Sequence, residues 1–217
     1  MFRFKLLVCI SLVILSCNNS GKKKDSFSDT SAIHVDSIIS PLDVDDPIRD
    51  STLFADTKII LSVLKDKNYD SLLKFIHPEV GIRFSPYGFI STKNDVVVTT
   101  NAMLHWMDKK RQPRLVWGSF DGNEKPINMT PDEYINRFVY DVNFLEADTI
   151  KVNKFMGNGN SLNNLTEIYP GCSFVENYYL GNSKKNQEYD WRSLRLVFKF
   201  KDGKYYLVGI VHDEWTI

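Results

Sequence analysis

The amino-acid sequence predicts an α+β domain, with N-terminal helices packed on a curved antiparallel sheet, and three observations carry that prediction. After residue 50, apolar residues recur at helical spacing in two successive segments. At the other end, Leu194, Leu196, Phe198 and Phe200 alternate with Arg195, Val197, Lys199 and Lys201, the period of a strand with one buried face. Between the last two apolar runs stands Asp202-Gly203, a dipeptide that tolerates positive φ at both central positions of a tight hairpin turn. Helices first and strands afterwards is the order of an α+β chain.

Each element has its own signal. Asp50 or Ser51 can cap a first helix whose Leu53, Phe54, Ile60, Leu61 and Leu64 share a face. Asn68 can cap a second, with Tyr69, Leu72, Leu73 and Ile76 at i, i+3, i+4 and i+7; Pro78 ends it at His77. Gly81 to Pro86 reads as a short strand closed by proline, Val96 to Val98 as a second strand, and Thr100 to Asp108 as a short helix. Leu115-Val116-Trp117 and Ile127 flank Asp121-Gly122, a looped strand pair. Thr130-Pro131-Asp132-Glu133 is a helix start with a capping threonine, proline at the first position and a glutamate able to reach back. Strands are expected over 149–155 and 173–180, with a Gly/Asn-rich loop and a short helix near 162–168 between them. Tyr205 to Val211 is apolar on both faces, as a central strand requires.

Ahead of the domain lies a different kind of sequence. Met1 to Lys5 is a short basic stretch, and Leu6 to Leu15 is an apolar run of ten residues. A membrane helix needs roughly 20, so this run has the length of a signal-peptide core instead. It stops at Ser16-Cys17, and Asn18-Asn19-Ser20-Gly21 and three lysines follow. A small residue before a cysteine at this place resembles the lipobox of bacterial lipoproteins. The resemblance implies cleavage before Cys17, thioether attachment of a diacylglycerol to it, and palmitate-like acyl chains holding the chain on a membrane. An ordinary secretory signal followed by a chance cysteine would leave Cys17 bare. The expected organisation is therefore a signal peptide over 1–16, a lipidated cysteine and polar tether over 17–50, and one globular domain over 51–217. The expected address is the cell envelope.

Composition narrows the partners. The chain has 27 basic and 27 acidic side chains; without Arg3 and Lys5 of the signal the count is 25 against 27, a net of −2. Such a balance lacks the basic excess that nucleic-acid binding demands. Of three cysteines, Cys9 leaves with the signal and Cys17 carries lipid, so Cys172 has no disulfide partner within the chain. It follows Pro170-Gly171 and leads an apolar strand, which marks a buried thiol rather than a nucleophile.

The helix-then-sheet order resembles the NTF2-like (cystatin-like) cone, in which helices cover the concave face of a bent sheet and leave a pocket. The stretch from about 69 to 217 also resembles an uncharacterised family of bacterial envelope lipoproteins. It does so through His77-Pro78, Arg83-Phe84-Ser85-Pro86-Tyr87, Trp117-Gly118 with Asp121-Gly122, Thr130-Pro131-Asp132-Glu133-Tyr134, Asp190 to Leu196 and Gly209 to Trp215. That family implies no activity.

Six residues are candidates for the site. His212 and Glu214 share a face at the end of the last strand, with Asp213 turned away, so the pair can serve as base and orienting carboxylate; alternatively it is a satisfied hydrogen-bond cluster where the strand leaves the core. A metal would want a third ligand, and no His-x-His or His-Glu-x-x-His spacing supplies one, so neither a metal nor another cofactor is expected. Trp191 and Arg192 can stack on and clamp an anion; alternatively Asp190 and Arg192 pair with each other or with Arg195 and Asp213. Arg83, Ser85 and Tyr87 fall on one face if the first strand stays extended, with Arg83 as anion contact and Tyr87 as donor; equally, Arg83 can neutralise an Asp or Glu nearby. His77 reads as a helix-end cap and Gly157 to Asn160 as a plain loop.

Two functions compete. The first is a membrane-anchored binding module for a small molecule, glycan or envelope protein, and the absence of Gly-x-Ser-x-Gly or zinc spacings favours it. The second is an NTF2-like enzyme with a His or carboxylate general base. Convergence of His212, Glu214, Arg83 and Tyr87 in one dry pocket would favour the enzyme; a filled interior with polar groups outward would favour binding.

Overall fold

The computed structural model describes residues 45–157, 162–181 and 189–216. The expected signal peptide, Cys17, the expected tether up to residue 44 and the middle of the Gly/Asn-rich loop lie outside the described residues. Thirteen elements and one 3₁₀ turn follow in order: α1 (Pro47–Lys65), α2 (Tyr69–Leu72), β1 (Ile82–Ser85), β2 (Val96–Val98), α3 (Thr100–Leu104), β3 (Leu115–Ser119), β4 (Pro126–Met129), α4 (Pro131–Phe138), the 3₁₀ turn Phe144–Glu146, β5 (Thr149–Val152), α5 (Leu165–Ile168), β6 (Ser173–Tyr179), β7 (Arg192–Lys201) and β8 (Lys204–Glu214). None of the described helices is long and apolar enough to cross a membrane.

The sheet is curved and six-stranded, ordered β2-β1-β8-β7-β6-β5, with β3-β4 as a separate ribbon. Its centre is the long β7–β8 hairpin, turned at Asp202 (φ 50°) and Gly203 (φ 81°) as the Asp-Gly dipeptide demands. The register shifts between Val197 and Phe198, a bulge of the kind that bends a strand pair.

One sheet expectation fails. β1 runs parallel to β8, Arg83 opposite Gly209 and Ser85 opposite Val211, so the sheet is mixed rather than antiparallel. The reason is connectivity: β8 already has its hairpin partner in β7, and β1 reaches its other edge only through the chain between them, a crossover and not a turn.

Helix ends also move. α1 starts earlier than Asp50 or Ser51, because Asp46 accepts from the amides of Ile48 and Arg49 and Pro47 takes the first helical position, where a missing N–H costs nothing. Helical structure therefore begins at Pro47, inside the 17–50 stretch expected to be tether. α2 keeps its Asn68 cap but lasts a single turn, and α3 stops at Leu104 instead of Asp108. α4 forms as its start signal requires: Thr130 Oγ1 accepts from Glu133 N, and Glu133 accepts from Thr130 N at 2.8 Å.

Alternation along the strands sends two sets of side chains to opposite faces. Phe84, Val175, Leu194, Leu196 and Ile210 join Leu53, Ile60 and Leu64 of α1 and Tyr134, Ile135 and Phe138 of α4 in the main core. Phe84, Trp106, Trp117 and Tyr134 interlock there, with Trp117 stacked on Tyr134 at 4.0 Å. On the other face Phe174, Val197, Val208 and Val211 pack with Ile90, Leu165 and Cys172. The single-sided burial expected for β7 is thus wrong, because a second apolar cluster covers the face of Val197, and Arg195 on that face is fully buried. Phe200 is the opposite surprise, 57% exposed where burial was expected, and it leans on Tyr205 at the hairpin end.

Candidate functional site

The strand ends build a charged cluster on the face of the main core. Alternation at the end of β8 puts His212 and Glu214 on that face, and β7 sets Arg192 opposite Glu214. Past the end of α4, Asp141 arrives four residues after Arg137, so both reach the same place. Arg192 Nε lies 3.0 Å from Asp141 and 3.1 Å from Glu214, and Arg137 donates to the other Glu214 oxygen at 2.6 Å. His212, with no exposed surface, has Nε2 3.3 Å from Asp141 and Nδ1 3.2 Å from the carbonyl of Pro86. Burial works to raise the Asp141 carboxyl, but the His212 hydrogen bond and charge, with Arg192, hold it below its usual value.

Asp141, His212 and Glu214 offer ligand atoms within 4.8 Å of one another, so the segment after α4 supplies the third group that strand spacing could not. Two guanidinium groups already neutralise both carboxylates, and a dication there would have to displace them. Neither His212 nitrogen is turned toward open space; both face acceptors. The cluster reads as an ion-pair network that locks the end of β8 to α4.

The other face carries a second, wholly buried group. Arg195 Nη2 reaches Glu176 at 3.1 Å and Asp213 at 2.9 Å, while Ser193 donates to Glu176. Glu176 also accepts from the amides of Met156 and Gly157. Burial pushes the Asp213 carboxyl up, against the pull of Arg195. Backbone packs tightly around these groups: a Cβ at Gly88 would stand 2.8 Å from the Asp213 carboxylate, and one at Gly157 2.8 Å from Trp191. Trp191 is a wall of this packing, buried and stacked on Tyr178, and not a platform for a ligand.

These positions separate the six candidates. Arg192, His212 and Glu214 meet in the charged cluster. Arg83 faces the opposite side of the sheet, where it donates to the carbonyl of Ser91 at 3.4 Å, so the anion contact expected beside Tyr87 does not form. The reason is that β1 ends at Ser85, and Pro86 turns the chain before Tyr87. Asp190 and Arg192 were one expected pairing; Arg192 instead takes Asp141 and Glu214, and Arg195 takes Asp213. His77 caps a turn as an acceptor, its Nδ1 receiving the amides of Glu79 and Val80, and burial holds it below the usual histidine value.

Tyr87 sits somewhere the spacing did not foretell. It lines a recess of about 290 Å³ with Phe89, Asp95, Phe120 and Asp121, between the Pro86–Asp95 segment and the β3–β4 ribbon. Gly118, at φ 111°, lies at the break of the β3–β4 register, and past it the chain turns Ser119 to Asp121 onto the recess wall. Tyr87 and Phe120 both lean on Phe138, at 5.7 and 6.1 Å, which fixes the walls. Phe89 is 50% exposed.

Asp95 is the group that sequence reading missed. Burial lifts its carboxyl to about 6, although the Ser85 hydroxyl, the Ser91 amide and the charge of Arg83 all pull it down. Tyr134, wholly buried behind the recess, has a hydroxyl with no hydrogen-bond partner among the described residues. Burial raises that phenol well above its usual value, and the charges of Asp95 and Tyr87 add to the effect. Asp95 closes a polar Ser-Thr-Lys-Asn-Asp run that carries no motif. Arg137 and Asp141 did leave a signal, an i, i+4 charge pair at a helix end.

No family model matches the chain, and no curated protein does. Solved structures that match include a designed NTF2-like protein, 14% identical, aligned over 76% of this chain and 98% of that one with a TM-score of 0.34. The architecture, α+β with a curved sheet, rests on the elements described above, and the chemistry rests on the residues of the site.

Proposed function

We propose that this chain is a lipid-anchored envelope protein whose folded domain binds a small ligand in the recess lined by Tyr87, Phe89, Asp95 and Phe120. Cys17 is the anchor in this reading, and an NTF2-like cone is its fold, the cone's interior filled by Phe84, Trp106, Trp117 and Tyr134. The observation that carries the binding role is the recess itself: aromatic walls held by Phe138, a half-exposed phenylalanine, and two carboxylates. Recognition sites are concave and mostly apolar, with a few convergent polar groups. Catalysis by His212 finds no such support, since its ring is sealed and Arg83 lies across the sheet.

The anchor is tested by metabolic fatty-acid labelling and fractionation of cells expressing the chain. Label and membrane association should both vanish with Cys17→Ser; label retained in that variant would overturn the anchor. The recess is tested by a thermal-shift screen of the detergent-purified protein, in which hits should weaken with Phe89→Ala and not with a surface control such as Lys151→Ala. One observation favours a second reading: a recess carboxyl at about 6 is suited to acid–base work. Turnover of an ester or glycoside with a pH limb near 6 that disappears in Asp95→Asn would establish it.

A further inference from the structure

We infer that the recess takes a small organic cation, an alkylammonium or quaternary ammonium group held between aromatic faces and two carboxylates. The inference rests on the binding reading above and names the class of ligand. Ten residues line the recess, and their charges are one-sided: Asp95 and Asp121 are acidic, and there is no lysine, arginine or histidine. Phosphate, carboxylate and acidic polysaccharide would meet repulsion there, whereas a cation would not.

The two carboxylates also take only neutral hydrogen-bond donors among the described residues. Asp95 accepts from the Ser85 hydroxyl and the Ser91 amide, both neutral donors. Asp121 accepts from the amide of Gly122 and from the Thr216 hydroxyl, again neutral. Neither forms an ion pair among the described residues, while Asp141, Glu176, Asp213 and Glu214 all do. Arg83 is the cation whose field reaches Asp95, from the same face of β1 as Ser85, but it makes no ion pair with Asp95; its guanidinium donates to the Ser91 carbonyl and to Tyr169.

Aromatic faces complete the argument. Tyr87, Phe89 and Phe120 come from two separate chain segments and line one volume. A ring face attracts a cation through its quadrupole, and cages of such rings are the usual recognition device for methylated ammonium groups. Tyr87 and Phe120 are held in place by Phe138, so little side-chain freedom is lost on binding. A volume of about 290 Å³ suits a small molecule rather than an extended chain.

The test is a titration of the full, detergent-purified protein, labelled with ¹⁹F-phenylalanine, with choline and tetramethylammonium as cations. The uncharged 3,3-dimethylbutan-1-ol is the shape control, and N-acetylglucosamine is a neutral sugar. Choline should shift the Phe89 and Phe120 resonances, assigned by substitution, with an affinity about tenfold or more above that of the alcohol. Asp95→Asn and Phe89→Ala should each weaken choline about tenfold, and Phe89→Ala, at an exposed position, should leave the unliganded melting point nearly unchanged. Equal binding of choline and the alcohol, or a choline affinity indifferent to both substitutions, overturns the inference. A sugar that binds through Phe89 while choline does not overturns it too, but leaves the recess a binding site. If none of the four probes shifts a recess resonance, the binding reading falls with it.

Discussion

At the scale of the residue, Asp95 shows how burial turns a common side chain into a marked one. Its unfolded carboxyl titrates near 3.8 and its folded one at about 6. Between those values the folded chain holds more protons than the unfolded chain, so this group makes stability fall as pH rises. Its contribution is fully present below pH 3.8 and is gone once the pH has climbed through 6. Asp95→Asn imitates the neutral carboxyl and removes the effect. Urea unfolding of both proteins between pH 4 and pH 7.5 should show the variant gaining on the parent as pH rises. The gain should total about 2 kcal/mol, a figure discounted for the solvent that still reaches the group. A constant difference across that range would make Asp95 an ordinary surface acid. Binding in the recess should follow the opposite trend, since a cation needs the ionised carboxylate.

At the scale of the element, what the sequence made legible was what local chemistry decides. Thr130, Pro131 and Glu133 announce α4 because cap, first position and back-reaching glutamate lie within four residues of each other. Asp202-Gly203 announces the hairpin for the same reason. The capping box has a testable worth: Thr130→Ala frees the Glu133 amide and should cost about 1 kcal/mol, lowering the melting point by roughly 3 °C. Thr130→Ser should restore nearly all of it, and loss of stability equal in both variants would mean that the cap carries no weight. What was illegible depends on distant segments. Arg195 sits in an alternating pattern that reads as solvent-facing, and only the arrival of Glu176, Asp213 and the Gly157 backbone makes it buried. The parallel β1–β8 pairing joins Arg83 to Gly209 and has no local signature at all. The recess is illegible for the same reason, because Asp95 and Asp121 become neighbours of one volume only when β3–β4 folds back beside β1.

At the scale of the whole molecule, β7 and β8 are shared property. Leu196 and Ile210 belong to the main core, while Val197 and Val211, next to them in the chain, belong to the cluster on the opposite face. No denaturation of one face can spare the other, because the same two strands carry both. Trp106 and Trp117 report on the first face and Trp191 on the second, all three at most 4% exposed. Biosynthetic 5-fluorotryptophan makes each a separate ¹⁹F resonance in one sample. Their urea midpoints should coincide, as a cooperative transition requires. Leu196→Ala, which opens a cavity worth about 3 kcal/mol beside Trp106 and Trp117's cluster, should move the Trp191 midpoint by the same amount. A Trp191 transition that stayed put would mean that the two faces melt separately. The ion pairs at the end of β8 would then have to be read as a tie between independent halves. The shared strands argue against that: β8 is fully buried from Leu207 to Glu214, and a strand enclosed on both faces cannot lose one without exposing the backs of residues that hold the other.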